Sequence, residues 1–148
     1  MIIVTDQAKA GCDAATLAML GRQGQAWLTG DFSPAAAADW HEEGVLTAPG
    51  NRIPKPELAR TIENFHRDYG DLVLTVTNAF RSPDGRRMAL EWLWEISRRE
   101  DGQRSRTEDA IIVDFDENGL ILSWREYFDT VGSVEDHHHV KTKAAAKV

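Results

Sequence analysis

The chain has a single cysteine, no long apolar run and no excess of basic residues, and each shortage closes off a class of protein. Cys12 on its own can form neither an intramolecular disulfide nor a cysteine-based structural zinc site. No stretch approaches the roughly 18 apolar residues of a membrane span. Met1-Ile2-Ile3-Val4-Thr5-Asp6 lacks the basic start and long apolar core of a secretory signal, so a cytoplasmic location is expected. With 17 Lys plus Arg against 24 Asp plus Glu, the net charge is −7, which argues against nucleic acid or an anionic membrane as partner. Phosphate loops, dinucleotide fingerprints and the HExxH zinc helix are missing too, and neither cofactor nor metal is expected.

What is present is globular. The 148 residues are 42% hydrophobic and 28% charged, enough for one domain with a real core. Residues 1–12 read as a polar N-terminal arm, residues 13–130 as the domain and residues 131–148 as a polar C-terminal tail. Asp13 is a plausible N-cap for a first helix, whose Leu17, Leu20, Gly24, Trp27 and Leu28 share one face before Gly30-Asp31 ends it. Ser33-Pro34 opens a second helix, expected to run to about His41. Val45-Leu46-Thr47-Ala48 is a short strand candidate. A third helix begins near Pro54, with Leu58, Ile62, Phe65 and Tyr69 as its apolar stripe.

The second half changes character. Residues 72–82, 87–97, 105–115 and 120–128 are rich in β-branched and aromatic side chains. Asp84-Gly85, Asp101-Gly102 and Asn118-Gly119 stand between them, and these dipeptides are strong hairpin signals. Helices first and an antiparallel meander after make an α+β protein: three N-terminal helices on a curved, mostly antiparallel sheet.

Two-residue turns would set the register. Trp94 then faces Asp109, Trp92 faces Ile111, Ile111 faces Glu126, Val113 faces Trp124, and Thr75 and Thr77 stand beside Trp94 and Trp92. One face carries Leu90, Trp92, Trp94, Asp109, Ile111, Val113, Trp124, Glu126 and Phe128, and its aromatic weight makes it the inner one. Asp109 and Glu126 lie diagonally across one strand pair among tryptophans, within reach of a shared ligand or water. Burial raises a carboxyl pKa into the range of a general acid or base near neutrality. Asp109 and Glu126 are therefore the catalytic candidates. Trp92, Trp94, Ile111, Trp124 and Phe128 are the expected pocket lining. Either acid could instead be a satisfied polar group of the core.

This order of elements, with Gly30-Asp31, Gly44-Val45 and the closing segment Trp124-Arg125-Glu126-Tyr127-Phe128-Asp129, resembles the nuclear transport factor 2-like superfamily. The likeness is to its SnoaL-like branch of polyketide cyclase-like and limonene-epoxide-hydrolase-like proteins. The resemblance implies a cone-shaped α+β barrel. It also implies that Glu126 stands where epoxide hydrolases of this kind carry one catalytic carboxylate. The rest of that set is absent: its Arg-x-Asp pair falls on Trp92 and Trp94, and its Tyr and Asn fall near Leu46 and Ala48. Epoxide hydrolysis by that mechanism is not expected.

The first reading is a small cofactor-independent enzyme acting on a mostly apolar, ring-containing molecule by isomerisation, dehydration or cyclisation. Beside it stand a non-catalytic small-ligand or protein-interaction domain and a cone closed into a solid core by its tryptophans. Leu93, Ala110, Ile112 and Tyr127 on the outer face, rimmed by Glu91, Glu95, Glu108 and Arg125, have the pattern of a homodimer interface. His137-His138-His139 lack fixed geometry for a metal. His41 is explained by a helix end, His66 by the domain surface and Arg52 by solvation.

Overall fold

The structure is a computed structural model that describes residues 1–129. The expected tail from Val131, with His137–His139, lies outside them. In chain order the elements are β1 (Ile2–Val4), α1 (Asp6–Ala10), α2 (Ala14–Thr29), α3 (Pro34–Ala38), β2 (Trp40–Ala48), β3 (Asn51–Pro54), α4 (Lys55–Asp68), β4 (Tyr69–Arg81), β5 (Arg87–Arg98), β6 (Arg104–Phe115) and β7 (Ile121–Tyr127). The seven strands form one sheet in the order β1-β4-β5-β6-β7-β2-β3. Only β1 on β4 and β2 on β7 run parallel; the other pairs are antiparallel. This is the expected α+β cone, with helices on the inner face of a long meander. No helix among the described residues is long and apolar enough to cross a membrane.

The helix signals hold for local reasons. Asp13 Oδ1 accepts the Thr16 amide at 2.8 Å, and Gly30 ends α2 in the left-handed region at φ 75°. Ser33 caps α3, but that helix stops at Ala38 and the chain turns at Asp39 into β2. His41 is therefore a strand residue rather than a helix end, and its Nδ1 accepts the Glu43 amide at 3.0 Å. Glycine at 24 lets α2 lie close on the sheet: a Cβ there would meet Ile2 Cδ1 at 2.9 Å and Leu74 Cδ2 at 3.0 Å.

Residues 1–12 differ from a polar arm. Ile2–Val4 pairs with β4, the Met1 amino group donates to Leu72 O at 3.0 Å, and Thr5 caps α1, whose Ala8 is fully buried. The alternation Ile2-Ile3-Val4 is too short to announce a strand, and a parallel partner 72 residues away leaves no local mark on it.

The expected register holds in one hairpin and is altered in two. Between β6 and β7, Ile111 faces Glu126 and Val113 faces Trp124, as expected. Between β5 and β6 the loop has four residues, 99–102, closed by the Arg98 amide on Gln103 O. Trp92 therefore faces Asp109, and Trp94 faces Thr107. The slip is by two residues, the period of the pleat, so every side chain keeps its face. On β4 a bulge between Val76 and Asn78 reverses the faces beyond it. Val76 and Leu74, not Thr77 and Thr75, stand beside Trp92 and Trp94, at 1% and 0% exposure.

Candidate active site

Asp109 and Glu126 come from adjacent strands. Glu126 faces Ile111 across β6 and β7, and Asp109 is two residues further along β6, so the two carboxyls are diagonal neighbours on the inner face. Each hangs from an indole. Trp92, directly opposite Asp109, donates its Nε1–H to Asp109 Oδ2 at 3.2 Å. Trp124, two residues before Glu126 on the same face, donates to Glu126 Oε1 at 3.0 Å. A third tryptophan supports the second: Trp40 packs 6.2 Å from Trp124, and its Nε1–H donates to Gln23 Oε1 at 2.9 Å. Gln23 in turn donates to Asp39, which Arg22 also holds.

Above the carboxyls lies a cavity of about 260 Å³. Trp27 from α2, Phe65 from α4 and Trp94 from β5 form one wall, their ring centres 5.4–5.8 Å apart and edge to face. Leu46, Ala48, Asn51, Ile53, Thr61, Ile96, Thr107 and Phe128 complete the lining with Asp109 and Glu126. The cone is thus hollow, not filled by its tryptophans.

Burial sets the protonation of the pair. It pushes the Asp109 carboxyl up to about 6, against the opposing pull of the Trp92 indole, Glu126 and Trp94. Glu126 is raised well above its ordinary value, first by burial and then by the charge of Asp109. Although Glu126 keeps some surface toward the cavity, its carboxyl sits deep in the domain. Two anions in contact here would repel. One proton shared by the pair would remove that repulsion and leave one negative charge. Asp109 is 4% exposed, and its Oδ1 accepts no hydrogen bond from a fixed donor of the protein, so the shared proton has an acceptor waiting.

The expected residues divide into two groups. Asp109, Glu126, Trp94 and Phe128 line the cavity. Trp92, Ile111 and Trp124 do not; at 1%, 0% and 2% exposure they are core residues beneath it. Two of those three still matter to the site, because their indoles orient the acids. The sequence reading missed Trp27 and Phe65 as lining. Both were assigned to the apolar faces of their helices, which was the available signal, since a face turned to a hollow cone becomes a wall. Arg52 is exposed on β3, and His66 is seated against Gly30; neither lines the cavity. Among the described residues no three side chains of metal-binding type gather.

No family model and no curated protein matches the chain. Solved structures do. PrhC from Penicillium brasilianum is 15% identical over 88% of both chains, with a TM-score of 0.64. A nuclear transport factor 2-like protein of unknown function from Exiguobacterium is 13% identical over 76% of this chain and 99% of its own, with a TM-score of 0.63. An epoxide hydrolase from Mycobacterium tuberculosis, of the limonene-epoxide-hydrolase-like kind, is 18% identical over 76% and 80%, with a TM-score of 0.61. With its helices packed on one curved, mostly antiparallel seven-stranded sheet, the chain has the nuclear transport factor 2-like fold.

Proposed function

We propose that the cone binds a small, largely apolar, ring-containing molecule and moves protons on it with Asp109 and Glu126, without a cofactor. Two carboxyls side by side at the floor of an apolar cavity, both held toward their neutral forms by burial, are the observation that supports this reading. Near neutral pH Asp109 is the ionised partner and the base, while Glu126 holds the proton and is the acid. Isomerisation, dehydration and cyclisation all need one proton taken and another returned. A cavity of about 260 Å³ is small for a ligand site, which commonly spans roughly 300–1,000 Å³, so the substrate is of one or two rings.

The test is carbon-acid exchange. Cyclic ketones and cyclic imines are incubated with the protein in heavy water, and deuterium at the carbon next to C=O or C=N is followed by NMR. Catalysed exchange that disappears in Glu126→Gln and Asp109→Asn is the expected result. Exchange at the uncatalysed rate throughout, with the panel bound, leaves a binding protein and removes the enzyme.

The outer face carries a separate proposal, a homodimer. Tyr127 is 57% exposed there, beside Leu93, Ala110 and Ile112. Solution scattering at micromolar concentration should give twice the chain mass, and Tyr127→Asp should halve it; a monomer mass for the unaltered protein ends the idea.

A further inference from the structure

The cavity is uneven in charge, and on the cone reading above this asymmetry identifies the substrate class. Among the described residues that line it there is no lysine, arginine or histidine, and the ionisable groups are Asp109 and Glu126. Cations that neighbour lining residues in sequence are engaged elsewhere: Arg52 is exposed, Lys55 donates to Trp40 O at 3.0 Å, and Arg125, beside Glu126, pairs with Asp114 on the outer face. A pair sharing one proton keeps one negative charge inside an apolar chamber. Two indoles satisfy one oxygen of each acid, and Asp109 Oδ1, in a side chain 4% exposed, has no donor but the proton the pair shares. A buried anion without a cation opposite it is costly, and a ligand bearing that cation relieves the cost.

The walls agree. Trp27, Phe65 and Trp94 wall one side of the space with ring π-systems, which attract a positive charge and give nothing to a negative one. An anionic ligand would find no basic partner here. A neutral carbonyl would find one donor, the shared proton. A protonated amine would find the negative charge of the pair and a wall of three aromatic rings together.

We infer that the cone takes a small organic cation, an apolar ring carrying a protonated amine, with the ammonium at Asp109 and Glu126 and the ring against the wall of Trp27, Phe65 and Trp94.

Three probes of one shape test this in the full-length protein: benzylammonium, benzyl alcohol and benzoate, titrated by calorimetry at a pH of about 8, where Asp109 is ionised. Benzylammonium should bind at least about tenfold more tightly than benzyl alcohol, and benzoate more weakly than either. Binding of the cation favours the charged form of Glu126, so it should release a fraction of a proton, seen as a heat that changes with the buffer's ionisation enthalpy. Benzyl alcohol should release none. In Asp109→Asn/Glu126→Gln, the preference for benzylammonium over benzyl alcohol should collapse. Benzyl alcohol binding as tightly as benzylammonium in the unaltered protein overturns the cation inference and leaves the apolar-pocket reading intact. Failure of all three to bind overturns both.

Discussion

Strand β6 carries two aspartates on opposite faces of the sheet, and they behave as different chemical groups. Asp114 lies outside. Its carboxylate accepts from Arg87 at 3.0 Å and from Arg125 and Ser123, and the Arg125 guanidinium above all holds its pKa below the usual carboxylate range. Asp109 lies inside, with an indole and another acid for company, and burial raises it to about 6. The residue type is the same and the strand is the same; the pleat alone decides which becomes an ion pair and which a buried acid with a raised pKa. The inner site is built against stability, and the outer one for it.

The largest expected break in this contrast is in turnover. Asp109→Asn and Glu126→Gln should each slow proton exchange by about 100-fold or more, the usual worth of a positioned acid or base, with binding of a neutral probe little changed. Asp114→Asn should leave the rate within about twofold, read in the same NMR assay.

Stability against pH comes next and carries opposite signs. The folded value of Asp109 lies above its unfolded one. Between about pH 4 and pH 6 the folded state therefore holds more protons, and stability falls as pH rises, by roughly 3 kcal/mol at most. The folded value of Asp114 is lowered, so its contribution is present above the unfolded value and lost as pH falls through the folded one. Urea unfolding should show Asp109→Asn gaining on the unaltered protein as pH rises from about 4 to 6, and Asp114→Asn losing ground as pH rises toward about 4 and holding level above it. Identical trends for the two variants would erase the distinction.

A finer change sharpens the inner site alone. Trp124→Phe removes the N–H that pulls the Glu126 pKa down. Glu126 should then titrate higher still, read from its carboxyl carbon by NMR, while Asp114 stays where it is. The smallest effect belongs outside: Arg87→Ala loses an exposed ion pair and should cost less than about 1 kcal/mol.

Much of this was legible in the sequence because period-two patterning survives errors of register. The four-residue loop at 99–102 moves Trp92 from Ile111 to Asp109, yet a slip of two leaves each side chain on its face. Between β6 and β7 the loop at 117–119 and the bulge near Leu122 offset each other, so the pairing of Ile111 with Glu126 is the one expected from a two-residue turn. The bulge at Thr77 was missed, although it had left a trace. Leu72, Leu74 and Val76 alternate, and the next buried residue is Ala79, a step of three. The cavity was hidden for another reason. Large apolar side chains look alike in sequence whether they fill a core, as Trp92 and Trp124 do, or wall a space, as Trp27 and Trp94 do.

The five tryptophans of the chain form one unbroken path: Trp27 to Trp94 at 5.8 Å, Trp94 to Trp92 at 5.3 Å, Trp92 to Trp124 at 5.4 Å and Trp124 to Trp40 at 6.2 Å. At such spacings excited indoles exchange energy and couple their transitions, so light absorbed anywhere on the path reaches the two rings bonded to the carboxyls. A protonated carboxyl quenches indole emission more than an ionised one does. The indoles bonded to the two carboxyls thereby become an optical reporter of the pair, and near-ultraviolet dichroism and emission spectra should follow its protonation without any added label.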